Sequence, residues 1–295
     1  MKFHRYLRGT LLFVATTLAL LSATNGAHAG VVVNANCQAR FTNGSVGIID
    51  PDYSLVCTTI SSAPFSGGVA DTALAILFSP DDIVNPVARA SYGARGDNGN
   101  LGVMVESWTA IPSSYLHNGL VSSADAQVNL TAQDKIAVTS ATLATGASAS
   151  IDVSGYLEGS ASGYALNPKN YGIVTASYVF GGFQIYELTS NGSIGANFSW
   201  SGCFGFGSDP SSIFPECSQG GGSFGAYSQI LEVQVGSTLE ISSYLTAHSY
   251  SGVNQFNRIP AEALSQAQAM NTLSTYLTPV TDGVQLLAES GHDYS

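Results

Sequence analysis

The chain has 295 residues, of which 45% are hydrophobic and only 10% are charged, and its formal net charge is −11. Of the nine lysines and arginines only six lie beyond residue 29, and they are scattered, which argues against nucleic acid as a partner because phosphates are bound by grouped cations. The apolar fraction is ordinary for a folded protein, which excludes disorder of the whole chain.

Residues 1–29 predict a secretory signal peptide. Cations lie among the first residues, residues 10–21 form an uncharged apolar run, and Ala27-His28-Ala29 places small residues at a cleavage site. The apolar run is shorter than the roughly 18–20 residues of a spanning helix, so it favours a cleaved leader over an uncleaved membrane anchor. We therefore expect Sec-type export to a secreted, extracellular or cell-surface location, with no membrane span after cleavage.

The chain after the leader is acidic. Residues 30–295 contain six cations and all twenty acids, which gives a formal charge of −14. This charge excludes electrostatic docking on an anionic membrane surface. A chain of this length can bury one large core, and we expect a single β-sandwich domain over 30–295, in which residues 30–91 form a less regular N-terminal part.

Strand patterns dominate residues 135–287. Gly181-Gly182 predicts a hairpin turn between two strands, and residues 279–283 predict the turn that joins the last pair. The predicted strands are, in chain order, 135–143, 149–157, 173–180, 184–188, 228–235, 239–247, 273–277 and 284–287. In residues 239–247 apolar and polar side chains alternate with a period of two, as in a half-buried strand. Short strands at this spacing predict an all-β, jelly-roll-like antiparallel β-sandwich.

Residues 260–270 fit either a helix or a strand. Alanine, glutamate, leucine and glutamine favour a helix by intrinsic propensity. Every second residue is small, however, which is typical of a strand packed closely against another layer: Ala261, Ala263, Ser265, Ala267 and Ala269. We favour the strand.

Four cysteines, Cys37, Cys57, Cys203 and Cys217, predict structural disulfides in an exported protein. Three pairings are possible, and proximity along the chain favours Cys37–Cys57 and Cys203–Cys217. A metal site is the alternative, but the chain has no C-x-x-C motif and no histidine within a few residues of a cysteine.

Gly221-Gly222-Ser223-Phe224-Gly225 matches the G-x-S-x-G pattern of hydrolases. A nucleophile elbow needs a strand before the serine and a helix after it, whereas here a glycine-rich stretch precedes the serine and a predicted strand follows. Asp282, Asp293, His248 and His292 are the residues that could complete a triad. We favour a flexible loop, and we predict no catalytic and no cofactor-binding residues.

The histidines and acidic pairs match no metal-binding motif. His117, His248 and His292 lack the H-x-x-x-H and H-E-x-x-H spacings of zinc sites, although distant residues can assemble a site in a fold. We expect His248 to be exposed on the polar face of its strand. Asp50-Pro51-Asp52 and Asp81-Asp82 offer oxygen ligands of the kind that Ca²⁺ prefers, but we favour turn capping.

Two further patterns concern binding. Arg95-Gly96-Asp97 is a tripeptide that some adhesion receptors read, and we expect it in an exposed loop over 93–100. Because three-residue matches arise by chance, we favour a plain turn. The tyrosines, with Trp108 and Trp200, could form a sugar-stacking platform, but core packing is the default for aromatic residues in a sandwich.

The C-terminal region resembles a known group of proteins. The residues that carry the resemblance are Asn271-Thr272-Leu273, the stretch 276–284 (YLTPVTDGV) and Ser290-Gly291-His292-Asp293-Tyr294. They resemble the closing strands of exosortase-sorted (PEP-CTERM) exported proteins of Gram-negative bacteria, in which a closing hairpin precedes S-G-x-x-Y. The resemblance covers residues 134–295. Such proteins usually carry a Val-Pro-Glu-Pro sorting tail after the hairpin, so we expect either a tail-less secreted relative or a truncated sequence.

The resemblance implies an extracellular or matrix-associated protein, and it implies no catalytic residues because the group shares none. We therefore expect a non-catalytic surface or extracellular-matrix (biofilm-type) protein of a Gram-negative bacterium. A carbohydrate-binding β-sandwich module is the alternative, and a secreted hydrolase is the third interpretation. Extracellular polysaccharide and other surface proteins are the expected partners.

Overall fold

A computed structural model describes residues 30–43, 53–64, 69–79, 82–97, 100–111, 120–166, 173–189, 192–206, 224–254 and 261–295. The predicted signal peptide lies outside these ranges. Within them the secondary structure is all β, with fourteen strands: β1(Gly30–Asn43), β2(Tyr53–Pro64), β3(Val69–Ser79), β4(Asp82–Asp97), β5(Asn100–Ile111), β6(Leu120–Ser140), β7(Ser148–Leu157), β8(Ser160–Leu166), β9(Ile173–Thr189), β10(Gly192–Phe206), β11(Gly225–Gln234), β12(Thr238–Asn254), β13(Ala261–Pro279) and β14(Val284–Ala288).

The strands form two seven-stranded antiparallel sheets. Sheet A has the order β10-β9-β12-β6-β1-β2, and β14 pairs with the last residues of β6. Sheet B has the order β11-β7-β13-β5-β4-β3, and β8 pairs with the first part of β13. Residues 30–97 supply β1 and β2 to sheet A and β3 and β4 to sheet B.

The core lies between the two sheets, and alternation along the strands builds it. On β6, even-numbered residues such as Val128, Leu130 and Ile136 are fully buried, whereas the odd-numbered residues between them are half-buried. On β5 of the facing sheet, Val103 and Val105 are fully buried in the same cluster. Burying each large aliphatic side chain contributes about 1.5–3 kcal/mol. The prediction of an all-β antiparallel sandwich is confirmed.

Several predicted strands are confirmed, and some of them are longer than predicted. The segment predicted over 149–157 is β7, the segment over 228–235 lies largely in β11, and the segment over 239–247 is the first part of β12. Of the strand predicted over 135–143, residues 135–140 are the end of the 21-residue strand β6, which begins at Leu120, and residues 141–143 lie outside it. The preference for a strand over 260–270 is also confirmed, since β13 begins at Ala261 and directs its small residues into the core.

The hairpin predicted at Gly181-Gly182 is wrong, because β9 continues through both glycines. Their role is close packing. A Cβ atom on Gly181 would lie 2.8 Å from Leu245 Cδ1, and one on Gly182 would lie 2.1 Å from the Phe198 carbonyl oxygen. The glycines therefore allow the neighbouring strands to pack against β9, and they do not turn the chain.

The predicted pairing of the last two strands is also wrong. Residues 273–279 of β13 pair with β7 in sheet B, whereas β14 pairs with β6 in sheet A. The turn after Pro279 therefore carries the chain from one sheet to the other. Gly283 in this turn has a φ of 75°, a conformation that glycine adopts without strain.

A disulfide joins β1 to the edge strand β2. Cys37 and Cys57 lie directly opposite each other in the register, with their Cα atoms 5.1 Å apart. This pairing is confirmed. The side chain of Cys203, and Cys217 as a whole, lie outside the described residues, so the second pairing stays a prediction.

Candidate functional site

The outer face of sheet B carries a group of polar and aromatic side chains on four adjacent strands, β8, β13, β5 and β4. The strand register places Arg89 beside Trp108, Trp108 beside Leu264, and Leu264 beside Tyr164, in one row across the sheet. Glutamate and glutamine residues stand before and after this row. We call six of these residues the Trp108 cluster: Arg89, Glu106, Trp108, Tyr164, Glu262 and Gln266.

Glu262 is the acceptor that joins the two aromatic residues of the cluster. The Trp108 indole Nε1 donates to Glu262 Oε1 at 2.7 Å, and the Tyr164 hydroxyl donates to the same oxygen. A carboxylate accepts about four hydrogen bonds, so Glu262 keeps acceptor capacity for a ligand. The two bonds hold the indole and phenol rings in fixed positions relative to each other.

Glu106 is held from two sides. It forms an ion pair with the Arg89 guanidinium, and Gln266 Nε2 donates to its Oε2 at 2.6 Å. The guanidinium carbon lies 6.0 Å from the centroid of the Trp108 ring, which is the range of a cation–π contact. Because the Arg89 side chain is 42% exposed, the ion pair adds little stability, and its effect is to orient both groups.

The environment of Tyr164 keeps its hydroxyl protonated. The hydrogen bond to Glu262, together with partial burial, raises the pKa of Tyr164 above its usual value of 10.0. Tyr164 is 47% exposed, so much of its ring is open to solvent. The cluster thus offers an exposed aromatic ring beside the oriented carboxylate of Glu262, with a second oriented carboxylate, Glu106, two strands away.

The expectation of core packing for the aromatic residues is only partly correct. Tyr92, Tyr178 and Tyr294 are buried. In contrast, Trp108 is half-buried on the outer face of sheet B. The exposed aromatic residues include Tyr156, Tyr164, Tyr227 and Tyr276. Successive side chains of a strand point to opposite faces, and Trp108 lies between the inward-facing Ser107 and Thr109. The Trp108 side chain therefore points to the outer face. The side chain of Trp200 lies outside the described residues.

His248 is buried, so the expectation that it is exposed is wrong. His248 lies on the outward-facing side of β12, but the ring of Tyr178 packs against it, and His248 is only 9% exposed. Its Nε2 lies 3.0 Å from Asp125 Oδ1, and its ring meets Tyr178 edge-on, with centroids 5.7 Å apart.

Arg95-Gly96-Asp97 lies at the end of β4, so the expectation of an exposed loop over 93–100 is wrong for these residues. They pair with β5, and Arg95 and Gly96 also pair with β3. Gly96 is buried, and a Cβ atom there would lie 2.6 Å from Val31 Cγ1. The glycine is therefore explained by close packing between the sheets, and the tripeptide does not form a projecting turn.

The remaining candidate residues do not meet in one place. Ser223, His117, Asp50-Pro51-Asp52 and Asp81 lie outside the described residues, and the same holds for the Asp82 side chain. Across the described ranges, no group of three or more histidine, cysteine, aspartate or glutamate residues is placed to hold a metal ion. Asp282 is exposed in the turn after β13.

His292 lies beside Tyr294, with ring centroids 4.5 Å apart, and burial lowers the pKa of His292. Asp293, next to it, is exposed, and hydrogen bonds from the hydroxyl and the backbone N–H of Ser295 lower the pKa of its carboxyl. Both residues belong to the packing of the C-terminal residues.

Sequence reasoning missed four of the six residues in the Trp108 cluster, since it named Trp108 and the tyrosines but not their polar partners. A signal was present in residues 104–110, where outward-facing Met, Glu, Trp and Ala alternate with apolar or small residues. The partners, however, come from strands far apart in the chain, as the 154-residue separation of Trp108 and Glu262 illustrates. Only the sheet order brings them together.

The part of the chain that the structure describes contains no helix long and apolar enough to cross a membrane. Comparison with known proteins gives no relative: no protein-family model, no curated protein and no solved structure matches this chain.

Proposed function

We propose that this protein is a non-catalytic, exported polysaccharide-binding protein of the cell surface or extracellular matrix of a Gram-negative bacterium. The observation that carries this function is the Trp108 cluster, in which two aromatic side chains share one carboxylate acceptor on the outer face of a sheet. An aromatic residue in that position is not needed for the core, which lies on the opposite face of the strand.

The chemistry of the cluster suits a sugar. The open ring of Tyr164 provides an apolar surface on which the C–H face of a pyranose ring can lie. Glu262 lies beside it and Glu106 lies two strands away on β5, both as acceptors for hydroxyl groups, and hydrogen bonds fix their orientation before a ligand arrives. Because the residues lie on strands, the site is rigid.

The cellular setting follows from other features. Residues 1–29 predict export, and the Cys37–Cys57 disulfide is compatible with an oxidising compartment. The resemblance of residues 134–295 to exosortase-sorted proteins favours a matrix role over a soluble periplasmic one. Polysaccharide is a major polymer of such a matrix and supplies repeated copies of the ligand.

Binding to a panel of polysaccharides tests this function. The chain without residues 1–29 is incubated with insoluble glucan, chitin, mannan and alginate, and the depleted fraction gives the dissociation constant. We expect Trp108→Ala and Tyr164→Ala to weaken binding about tenfold or more, because aromatic side chains that a ligand covers dominate such interfaces. Met104→Ala is the matched control, since Met104 is an exposed, outward-facing residue of the same strand.

Two results would contradict the proposed function. One is that no member of the panel is retained above the level of an unrelated acidic protein. The other is that Trp108→Ala and Tyr164→Ala bind as tightly as Met104→Ala. Far-UV circular dichroism of each variant shows whether the sandwich is intact, so that a loss of binding is not confused with unfolding.

A further inference from the structure

A second aromatic surface lies on the outer face of sheet B, on β7, β11 and the second part of β13. Here a groove of about 380 Å³ is lined by Ser154, Gly155, Tyr156, Ala226, Tyr227, Ser228 and Tyr276. Tyr156 and Tyr276 are outward-facing and are 40% and 46% exposed, whereas Tyr227 pairs with the buried Gly155, and its ring lies on the inner side of the sheet. We call this the tyrosine groove. It shares no residue with the Trp108 cluster.

The groove is supported from below by a stack of aromatic rings. Tyr227 lies against Phe198, with ring centroids 3.9 Å apart, and Phe198 lies against the buried Phe183 at 4.7 Å. Gly155 makes room for this stack, because a Cβ atom there would lie 2.3 Å from Phe183 Cε1. The stack therefore holds β7 and β11, the strands beneath the groove, in place from the inner side of the sheet.

Carboxylates flank the groove. Ser228 Oγ, which lines it, donates to Asp152 Oδ1 at 2.7 Å, and the Tyr156 hydroxyl lies 3.5 Å from Glu158 Oε2. The segments that form the groove, β7, β11 and residues 273–279, contain no lysine or arginine. The negative charge beside the tyrosines is therefore not neutralised by a cation on these strands, and it attracts a positively charged ligand.

We propose that the tyrosine groove binds an amino-sugar polymer through its free ammonium groups. The apolar faces of the sugar rings lie on Tyr156 and Tyr276. Different ammonium groups along the polymer interact with an aromatic face and with the carboxylates of Asp152 and Glu158. Charge complementarity selects this polymer over its N-acetylated form, which has no cation, and over an acidic polysaccharide, which the carboxylates repel.

The ligand class rests on the proposed function, because the polymer is taken to be a polysaccharide. The site itself is separate. Tyr164 lies beside Leu264 on β13 and Tyr156 lies beside Ser274, so ten residues of the same strand separate the two surfaces. Because β13 has a bulge of two extra residues between Ala269 and Leu273, this corresponds to roughly 25 Å at about 3.3 Å per residue. Variants of each surface therefore test each site without touching the other.

Titration calorimetry with defined oligosaccharides tests the assignment. The probes are a glucosamine hexasaccharide, its fully N-acetylated counterpart and a neutral glucose hexasaccharide, at low ionic strength and below the pKa of the sugar amine. We expect the glucosamine hexasaccharide to bind about tenfold more tightly than the N-acetylated one, through cation–π and carboxylate interactions. The double variant Tyr156→Ala/Tyr276→Ala abolishes this preference.

The variants separate specific binding from general attraction between an acidic protein and a polycation. The double tyrosine variant keeps every carboxylate, so unchanged affinity for the glucosamine hexasaccharide in this variant would overturn the assignment. Asp152→Asn/Glu158→Gln keeps the tyrosines, and we expect it to lose the preference while retaining the weaker neutral binding. Leu74→Ala, at an equally exposed apolar position of sheet B, is the control.

Three further outcomes are decisive. Equal affinity for the glucosamine and N-acetylated hexasaccharides would overturn the amino-sugar assignment and leave the proposed function standing, provided that Trp108→Ala still weakens binding. Choline is titrated as a further probe. If choline binds while the oligosaccharides bind with equal affinity, the assignment to a polymer is overturned, and the ligand is a small organic cation. If neither the native protein nor Trp108→Ala binds any of the oligosaccharides, both the proposed function and this inference are overturned.

Discussion

Asp134 fastens the C-terminal residues to the sandwich, and its removal should destabilise the protein substantially. The carboxylate is 2% exposed near the end of β6. Its Oδ1 accepts from the backbone N–H of Lys135 at 2.8 Å and of Ser290 at 3.1 Å. Its Oδ2 accepts from the Ser290 hydroxyl and from the Tyr294 hydroxyl, the latter at 3.0 Å. One buried charge is thus satisfied by four donors.

The magnitude follows from these four bonds. Tyr294→Phe removes one donor to a buried charged acceptor, which costs about 1.5–3 kcal/mol. Asp134→Ala leaves four donors without their acceptor, and we expect about 3–5 kcal/mol, because water that enters the space replaces part of the loss. Asp293→Asn is the control, since Asp293 is exposed and contacts only its neighbours through the bonds to Ser295.

Urea unfolding followed by circular dichroism measures these free energies, and a double-mutant cycle isolates the pair. In the Asp134→Ala background, Tyr294→Phe should cost less than about 0.5 kcal/mol, because its partner is already gone. If Tyr294→Phe costs the same with and without Asp134, the hydrogen bond does not stabilise the fold, and the account of the C-terminal residues is refuted.

The contact between Asp134 and Tyr294 also predicts how stability depends on pH. Burial, together with the charge and the hydrogen bond of Asp134, raises the pKa of Tyr294. Because the folded pKa is above the unfolded one, this contribution to stability is complete below about pH 10 and is lost as the pH rises further. The unfolding free energy of the native protein should therefore fall in alkali more steeply than that of Tyr294→Phe. Parallel curves would contradict the raised pKa.

Three further predictions concern other parts of the sandwich. Replacing Cys37 and Cys57 by serine should cost about 3 kcal/mol, because the bridge closes a short loop of the unfolded chain; an unchanged urea midpoint would contradict this. Gly182→Ala should cost more than the roughly 1 kcal/mol of an ordinary strand substitution, since its Cβ would meet a backbone carbonyl; a cost below that would mean that β9 does turn there. Glu262→Gln should lower the pKa of Tyr164 in a spectrophotometric titration, because the hydrogen bond to the carboxylate is what raises it most; an unchanged pKa would mean that the bond is absent in solution.

The sequence predicts sheets well where a strand has one polar and one apolar face. Residues 239–247 show this pattern, and their buried and half-buried positions in β12 alternate as predicted. Prediction from sequence fails where contacts with another strand require a particular residue. Gly181-Gly182 has the local composition of a turn, but these glycines are required by Leu245 on β12 and Phe198 on β10. That reason is visible only after the strands are ordered.

The C-terminal pattern shows the same limit in another form. The S-G-x-x-Y segment supports a resemblance in sequence, but it does not reveal that Ser290 and Tyr294 both donate to Asp134, more than 150 residues earlier. Likewise, the predicted closing hairpin has the right strands and the wrong partners, because β14 crosses to β6 in sheet A. Spacing along the chain predicts that segments are extended, and pairing depends on the whole sandwich.

Because this protein has few cations, neutral groups donate many of the hydrogen bonds that its carboxylates accept. Salt should therefore affect ligand binding and folding stability differently. With six cations for twenty acids in residues 30–295, most carboxylates cannot form ion pairs. Many accept hydrogen bonds from neutral groups instead: Glu262 from an indole and a phenol, Glu232 from two serines, Asp152 from a serine and Glu240 from a tyrosine.

Neutral donors orient a carboxylate without cancelling its charge, so the outer faces stay negative while the groups stay fixed. Salt screens the long-range field of these charges far more than it weakens short hydrogen bonds. Raising the ionic strength should therefore weaken binding of the glucosamine hexasaccharide to the tyrosine groove and leave the unfolding free energy nearly unchanged. A parallel loss of both would mean that ion pairs, and not neutral donors, hold these carboxylates.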